Sequence, residues 1–153
     1  MEKTLLKSFP APLYKAGKVG ISLLFFLFAS IAFAQDTGAI KVTIEGIKGD
    51  EGVARIALVK DKASFTSDSA EPFMGAAEKI TDGRAEHIFR NVPFGDYAVK
   101  FFHDKDNSGS LKTGAFGIPK EDYGFSNNIS GKNFEKAKFK LDRPEIVIDI
   151  KAK

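Results

Sequence analysis

The chain has 153 residues, enough for one domain but not for two of ordinary size. Its 43% hydrophobic and 28% charged residues exclude a disordered chain and a multi-span membrane protein. The absence of Cys excludes disulfides, thiolate zinc sites and a cysteine nucleophile, and the formal charge of +3 traces to one end of the chain.

That end carries Lys3, Lys7, Lys15 and Lys18 against a single Glu2. Residues 21–34 then hold no charge and finish in Ala32-Phe33-Ala34. A basic stretch, an apolar stretch and small residues at the two positions a signal peptidase reads form the secretory signal pattern. The alternative is a membrane anchor, but the uncharged run falls short of the ~20 residues a span needs and lacks a basic stop-transfer cluster. The expectation is a signal peptide over 1–34, cut before Gln35, with no stable membrane span afterwards and a periplasmic or extracellular destination. The basic stretch is longer than usual, which admits a start codon downstream of Met1. Removing it leaves nineteen basic and nineteen acidic residues. A neutral domain has no overall field to draw nucleic acid, so none is expected as a partner.

From Gln35 onward the hydrophobic period is two. Ile40, Val42 and Ile44 alternate with polar residues, and Ala54, Ile56 and Leu58 share a face within Val53–Val59. Gly49-Asp50-Glu51-Gly52 between these runs predicts a hairpin. One helical turn is admissible over 61–66. Asp82-Gly83 suits a type I′ turn and predicts a second hairpin with arms 76–81 and 84–90. Asn91-Val-Pro-Phe-Gly-Asp-Tyr97 reads as a tight corner into a strand over 97–102, with Tyr97 bonding its hydroxyl back to the chain. Strands over 134–142 and 145–151 complete the set, separated by Pro144. Lys132, Lys136, Lys138 and Lys140 then alternate along a strand as a solvated or protected edge. Together these predict an all-β fold: a single domain over 35–153, an antiparallel sandwich of about seven strands, immunoglobulin-like or transthyretin-like, with a long ordered loop.

The loop runs from His103 to about Asn133. Loops beyond ~15 residues are uncommon in small domains unless they carry function. Its glycines permit sharp reversals, and Phe116, Tyr123 and Phe125 supply a small local core. Asp104-x-Asp106-x-Ser108-Gly109 has the spacing of a calcium loop. Position twelve of that pattern is Ala115, so the closing ligand is missing unless Glu121 or Asp122 returns to supply it. The competing reading is that Asp104 and Asp106 make turns that bind their own backbone. His87 sits on a strand as a half-exposed sheet residue. His103 adjoins Asp104, but strand neighbours point to opposite faces, so the expectation is a structural histidine hydrogen-bonded under the loop. No G-x-S-x-G elbow, phosphate loop or dinucleotide fingerprint is present.

Val92-Pro-Phe-Gly-Asp-Tyr-Ala-Val, His103-Asp-x-Asp-x-Ser-Gly-x-Leu and Phe116-Gly-Ile-Pro-Lys-Glu-Asp-Tyr-Gly-Phe-Ser-Asn-Asn128 resemble the exported bacterial family catalogued as domain of unknown function 2141, over residues 38–151. Members often carry Asn-Gly where this chain has Ser108-Gly109. The resemblance implies a small all-β secreted protein and no substrate. The expected function is a non-enzymatic binding or structural module of the cell envelope. It would engage a protein, glycan or small ligand through the 103–133 loop, with His103, Glu121, Tyr123, Phe125, Asn127 and Asn128 as the site. The alternative is a calcium-dependent structural or adhesive domain using Asp104, Asp106 and Ser108; a small hydrolase using His103 with Asp104 or Glu121 is the remaining possibility.

Overall fold

The alternating runs form strands that divide between two facing sheets. The computed structural model describes residues 36–153, so the expected signal segment lies outside them. The strands are β1 (Thr37–Glu45), β2 (Val53–Val59), β3 (Met74–Lys79), β4 (Arg84–Pro93), β5 (Gly95–Asp104), β6 (Tyr123–Phe125), β7 (Phe139–Leu141) and β8 (Glu145–Lys151). Two short helices, α1 (Lys62–Thr66) and α2 (Phe134–Ala137), lie between them. One sheet has the order β4-β1-β8; the other has the order β3-β2-β5-β6, with β7 also on β5. The all-β sandwich expected from the alternation is therefore the fold.

Ile40, Val42 and Ile44 of β1 face Ile56 and Leu58 of β2, Val99 and Phe101 of β5, and Ile150 of β8 in one buried core. Gly124 of β6 sits against that core: a Cβ there would stand 2.6 Å from Phe101 and 2.7 Å from Ile150. In β4 the inward set is Ala85, Phe89 and Val92. The register slips between Gly38 and Ile40 of β1, so Arg90 and Asn91 together oppose Ala39. Asn91 takes a positive φ of 54° at this bulge, and Phe89 and Val92 both reach the core although they are three residues apart.

Three expectations change. The two predicted hairpins are crossovers, because β1 pairs with β4 and β8, whereas β2 pairs with β3 and β5. Asp82-Gly83 does make the expected turn, with φ of 52° and 70° and a Thr81–Arg84 bridge, but the arms diverge at once into different sheets. The two crossovers are tied together, since the Asp50 carboxylate accepts from the amides of Asp82 and Gly83, each at 2.9 Å. Second, the sandwich is not wholly antiparallel, because β8 lies parallel to β1. Third, the predicted strand over 134–142 opens as helix α2. Asn133 caps it by accepting from the Lys136 amide at 3.1 Å, and Phe134 and Ala137 bury themselves at helical spacing. Lys136 is thus helical, and of the four alternating lysines only Lys140 lies in a strand.

The helical turn admitted over 61–66 forms as α1, and the Tyr97 corner forms as expected. Asp61 caps α1 by accepting from the Ser64 amide at 2.9 Å. The Tyr97 hydroxyl donates to the Pro93 carbonyl at 2.7 Å, closing the corner before β5. His87 is partly exposed and meets Glu78 through Nδ1 at 2.7 Å, linking β4 of one sheet to β3 of the other. Among the described residues, no helix is long and apolar enough to cross a membrane.

Candidate binding site

β5 ends in two buried polar residues that point to opposite faces. His103 turns inward and is wholly buried. Its Nε2 lies 2.7 Å from the Glu51 carbonyl, and its Nδ1 has no hydrogen-bond partner. The nearby carboxylate is Asp122, at 3.9 Å, beyond hydrogen-bond reach. Asp122 is committed to Lys48, whose amide donates to it at 2.6 Å.

Asp104 turns outward beneath the loop. Its Oδ1 accepts from the Ser108 amide at 2.9 Å, and its Oδ2 accepts from the Gly109 amide at 2.8 Å and from Arg55 Nε at 2.5 Å. Burial works to raise the pKa of Asp104. The Arg55 hydrogen bond and the two amides outweigh it and hold the carboxyl below its ordinary value.

Glu121 returns to this cluster, as the missing twelfth ligand required: Asp104, Asp106 and Glu121 bring carboxylate oxygens within 4.8 Å of one another. Hydrogen bonds already reach all three carboxylates. Glu121 accepts from the amides of Lys105 at 3.2 Å and Lys112 at 2.8 Å. Lys112 Nζ sits on Asp106 at 2.5 Å, and that contact lowers the Asp106 pKa. The Ser108 hydroxyl lies 3.3 Å from Asp104 and 3.2 Å from the Ser110 carbonyl, and its single proton serves one or the other. Two protein cations and a set of backbone amides therefore compete for the oxygens that calcium would need.

Asn127 and Asn128 act as staples. Asn127 Nδ2 donates to the carbonyls of Lys136, Ala137 and Lys138. Asn128 pairs with the edge of β8, donating to the Asp149 carbonyl at 3.2 Å and accepting from the Lys151 amide at 2.7 Å. Both adopt positive φ, which Asn tolerates better than most residues. Phe125 is buried with Val59, Phe65, Ala98, Phe134 and Ala137 in a second cluster outside the sandwich, with Tyr123 packed against it. Phe116 departs from the expected local core. It stands fully exposed at the tip of a small reversal closed by the Thr113–Pro119 bridge, at a φ of 62°.

The loop and the α1–β3 connection wall a cleft of about 620 Å³ over the outer face of the five-stranded sheet. Its floor is two cross-strand rows: Ala77, Arg55, Phe102 and Tyr123, then Gly75, Ala57, Lys100 and Phe125. Small side chains on β2 and β3 make the hollow; Leu111, Pro119 and Pro72 rim it. Lys100 is anchored by the carbonyls of Ser64 at 2.7 Å and Ser67 at 2.5 Å, and burial lowers its pKa. Of the residues predicted for the site, the structure brings Tyr123 and Phe125 to this cleft; His103, Glu121, Asn127 and Asn128 serve the loop itself. Arg55, Ala57, Gly75, Ala77, Lys100 and Phe102 escaped the sequence reading, which looked to the loop for chemistry. The usable signal was the outward half of the alternation, where Arg55-x-Ala57 and Gly75-x-Ala77 set small residues beside a cation.

The family described as an uncharacterized protein conserved in bacteria (DUF2141) matches residues 42–149 of the chain. No curated protein and no solved structure matches it.

Proposed function

Because the chain belongs to that bacterial family, domain of unknown function 2141, we propose that it is an exported, non-enzymatic module of the cell envelope that binds a small ligand in the loop-walled cleft. The observation that carries this reading is the hollow over Ala57, Gly75 and Ala77, roofed by an ordered loop and of small-molecule size. The absence of catalysis draws support from His103, whose imidazole is sealed in the core and does not line this cleft. The test is an amide NMR titration with a library of small amphiphiles. Shifts centred on Ala57, Gly75, Ala77 and Phe102 are expected; binding elsewhere, or nowhere, refutes the reading. Export rests on the pattern of residues 1–34. Expression of the whole chain in a bacterial host is expected to yield a protein beginning at Gln35 outside the cytoplasm, checked by mass spectrometry of cell fractions. An intact N-terminus in the cytoplasm refutes export.

A calcium-dependent role has one observation in its favour, the convergence of Asp104, Asp106 and Glu121. Arg55 and Lys112 already offset two of its three charges, and backbone amides hold Glu121, so we infer that it buckles the loop without metal. Millimolar calcium is expected to leave the melting temperature unchanged in calorimetry; a clear rise restores the calcium reading.

A further inference from the structure

The cleft is not electrically neutral. Three cations, Arg55, Lys100 and Lys132, meet two carboxylates, Asp68 in the lining and Asp104 behind Arg55. Lys132 is paired with Asp68 at 2.6 Å. Lys100 spends its donors on the α1 carbonyls. Arg55 differs: only its Nε is engaged, by Asp104, and its two Nη groups find no acceptor among the described residues. The guanidinium is held from behind by a carboxylate that is itself fixed by the Ser108 and Gly109 amides. Its cross-strand neighbours are Ala77 and Phe102. A planar fork of donors therefore stands pre-oriented beside an apolar floor.

We propose that the cleft takes an amphiphile with one carboxylate, the carboxylate on the Nη groups of Arg55 and the apolar body over Ala57, Ala77 and Phe102. A neutral amphiphile leaves the two Nη groups of the fork without an acceptor. A cationic one adds to the repulsion. A carboxylate matches both the geometry and the sign. This inference rests on the cleft being the binding site, and it goes further by naming what selects the ligand. Asp104 is a positioning residue here, acting through Arg55.

The experiment is calorimetric titration of the protein purified from cells expressing the whole chain. The probes are decanoate and 1-decanol, compared at low ionic strength. Decanoate is expected to bind at least about tenfold more tightly, the worth of a charge-assisted hydrogen-bond pair. Arg55→Lys keeps a cation on Asp104 but loses the fork, and is expected to erase most of that preference. Arg55→Met is expected to erase all of it. Ala57→Leu, which fills the floor, is expected to abolish binding of both probes. Equal binding of both probes to the parent, blocked by Ala57→Leu and indifferent to Arg55, overturns the carboxylate assignment and leaves the cleft standing. Failure of both probes to bind, or binding that survives Ala57→Leu, overturns the assignment and the cleft together. The two-probe comparison on the parent protein requires no variant to fold.

Discussion

Asp104 collects donors from Arg55, Ser108 and Gly109 around one buried carboxylate, and the loop's entry angle depends on it. Its folded-state pKa is depressed, so its contribution to stability is complete above about pH 4 and drains away as pH falls through the folded value. Asp104→Asn is expected to cost about 2 kcal/mol at neutral pH. The deficit should shrink at acid pH, as the parent carboxyl takes up its own proton. Urea unfolding at neutral and acid pH checks this; a deficit independent of pH would count against the assignment. Phe116 presents the opposite case. It holds a left-handed φ of 62° while its ring touches only solvent, a combination with a backbone cost and no burial in return. Phe116→Gly is therefore expected to raise stability by about 0.5–1 kcal/mol in the same assay. A loss would mean that the ring makes a contact in solution. At this scale the sequence was readable where chemistry is local, as with the Tyr97 corner and the Asp82-Gly83 turn. Arg55 was not readable, because nothing in its own neighbourhood announces a carboxylate forty-nine residues away.

Elements were legible by period and illegible by partner. Alternation located β1, β2, β5 and β8, since a half-buried strand must show it whatever lies beside it. The same alternation permits either a hairpin or a crossover between β1 and β2; the pairing of β1 with β4 and β8 makes it a crossover, which Asp50 ties to the Asp82-Gly83 turn. Segment 134–142 misled because Phe139 and Leu141 do alternate, while Phe134 and Ala137 obey the helical spacing just before them. β6 was hidden in the loop by its length of three residues. Where it ends, Ser126 continues the work of the ladder: its buried hydroxyl accepts from the Val99 amide at 2.9 Å and donates to the Ala137 carbonyl at 2.8 Å. Ser126→Ala strands the Val99 amide, while the Ala137 carbonyl keeps Asn127, and is expected to cost about 2 kcal/mol. Hydrogen exchange should show faster opening of Val99 relative to Phe101; unchanged exchange would show that water replaces the hydroxyl without penalty.

At the scale of the whole molecule, the five-stranded sheet is clad on both faces: the three-stranded sheet covers one, and the loop with α1 and α2 covers part of the other. That second cladding was predictable as an ordered excursion, but not as a wall, since a sequence does not say which sheet face remains bare. The three-stranded sheet depends on β8, whose Ile150 is in the core and whose Ile146 and Ile148 pack against it. A chain ended before Glu145 is expected to lose its cooperative thermal transition by circular dichroism; a sharp melt would show that β1 and β4 suffice alone.

The lateral pairing of Ile40 with Ile146 joins the beginning of the domain to its end. Such distant partners make the slowest contacts to form. The first strand must wait, with its parallel neighbour missing, until synthesis has passed almost the entire domain. A polypeptide that cannot finish its sheet early stays threadable for longer, a useful trait for any cargo that must pass a narrow channel before it hardens.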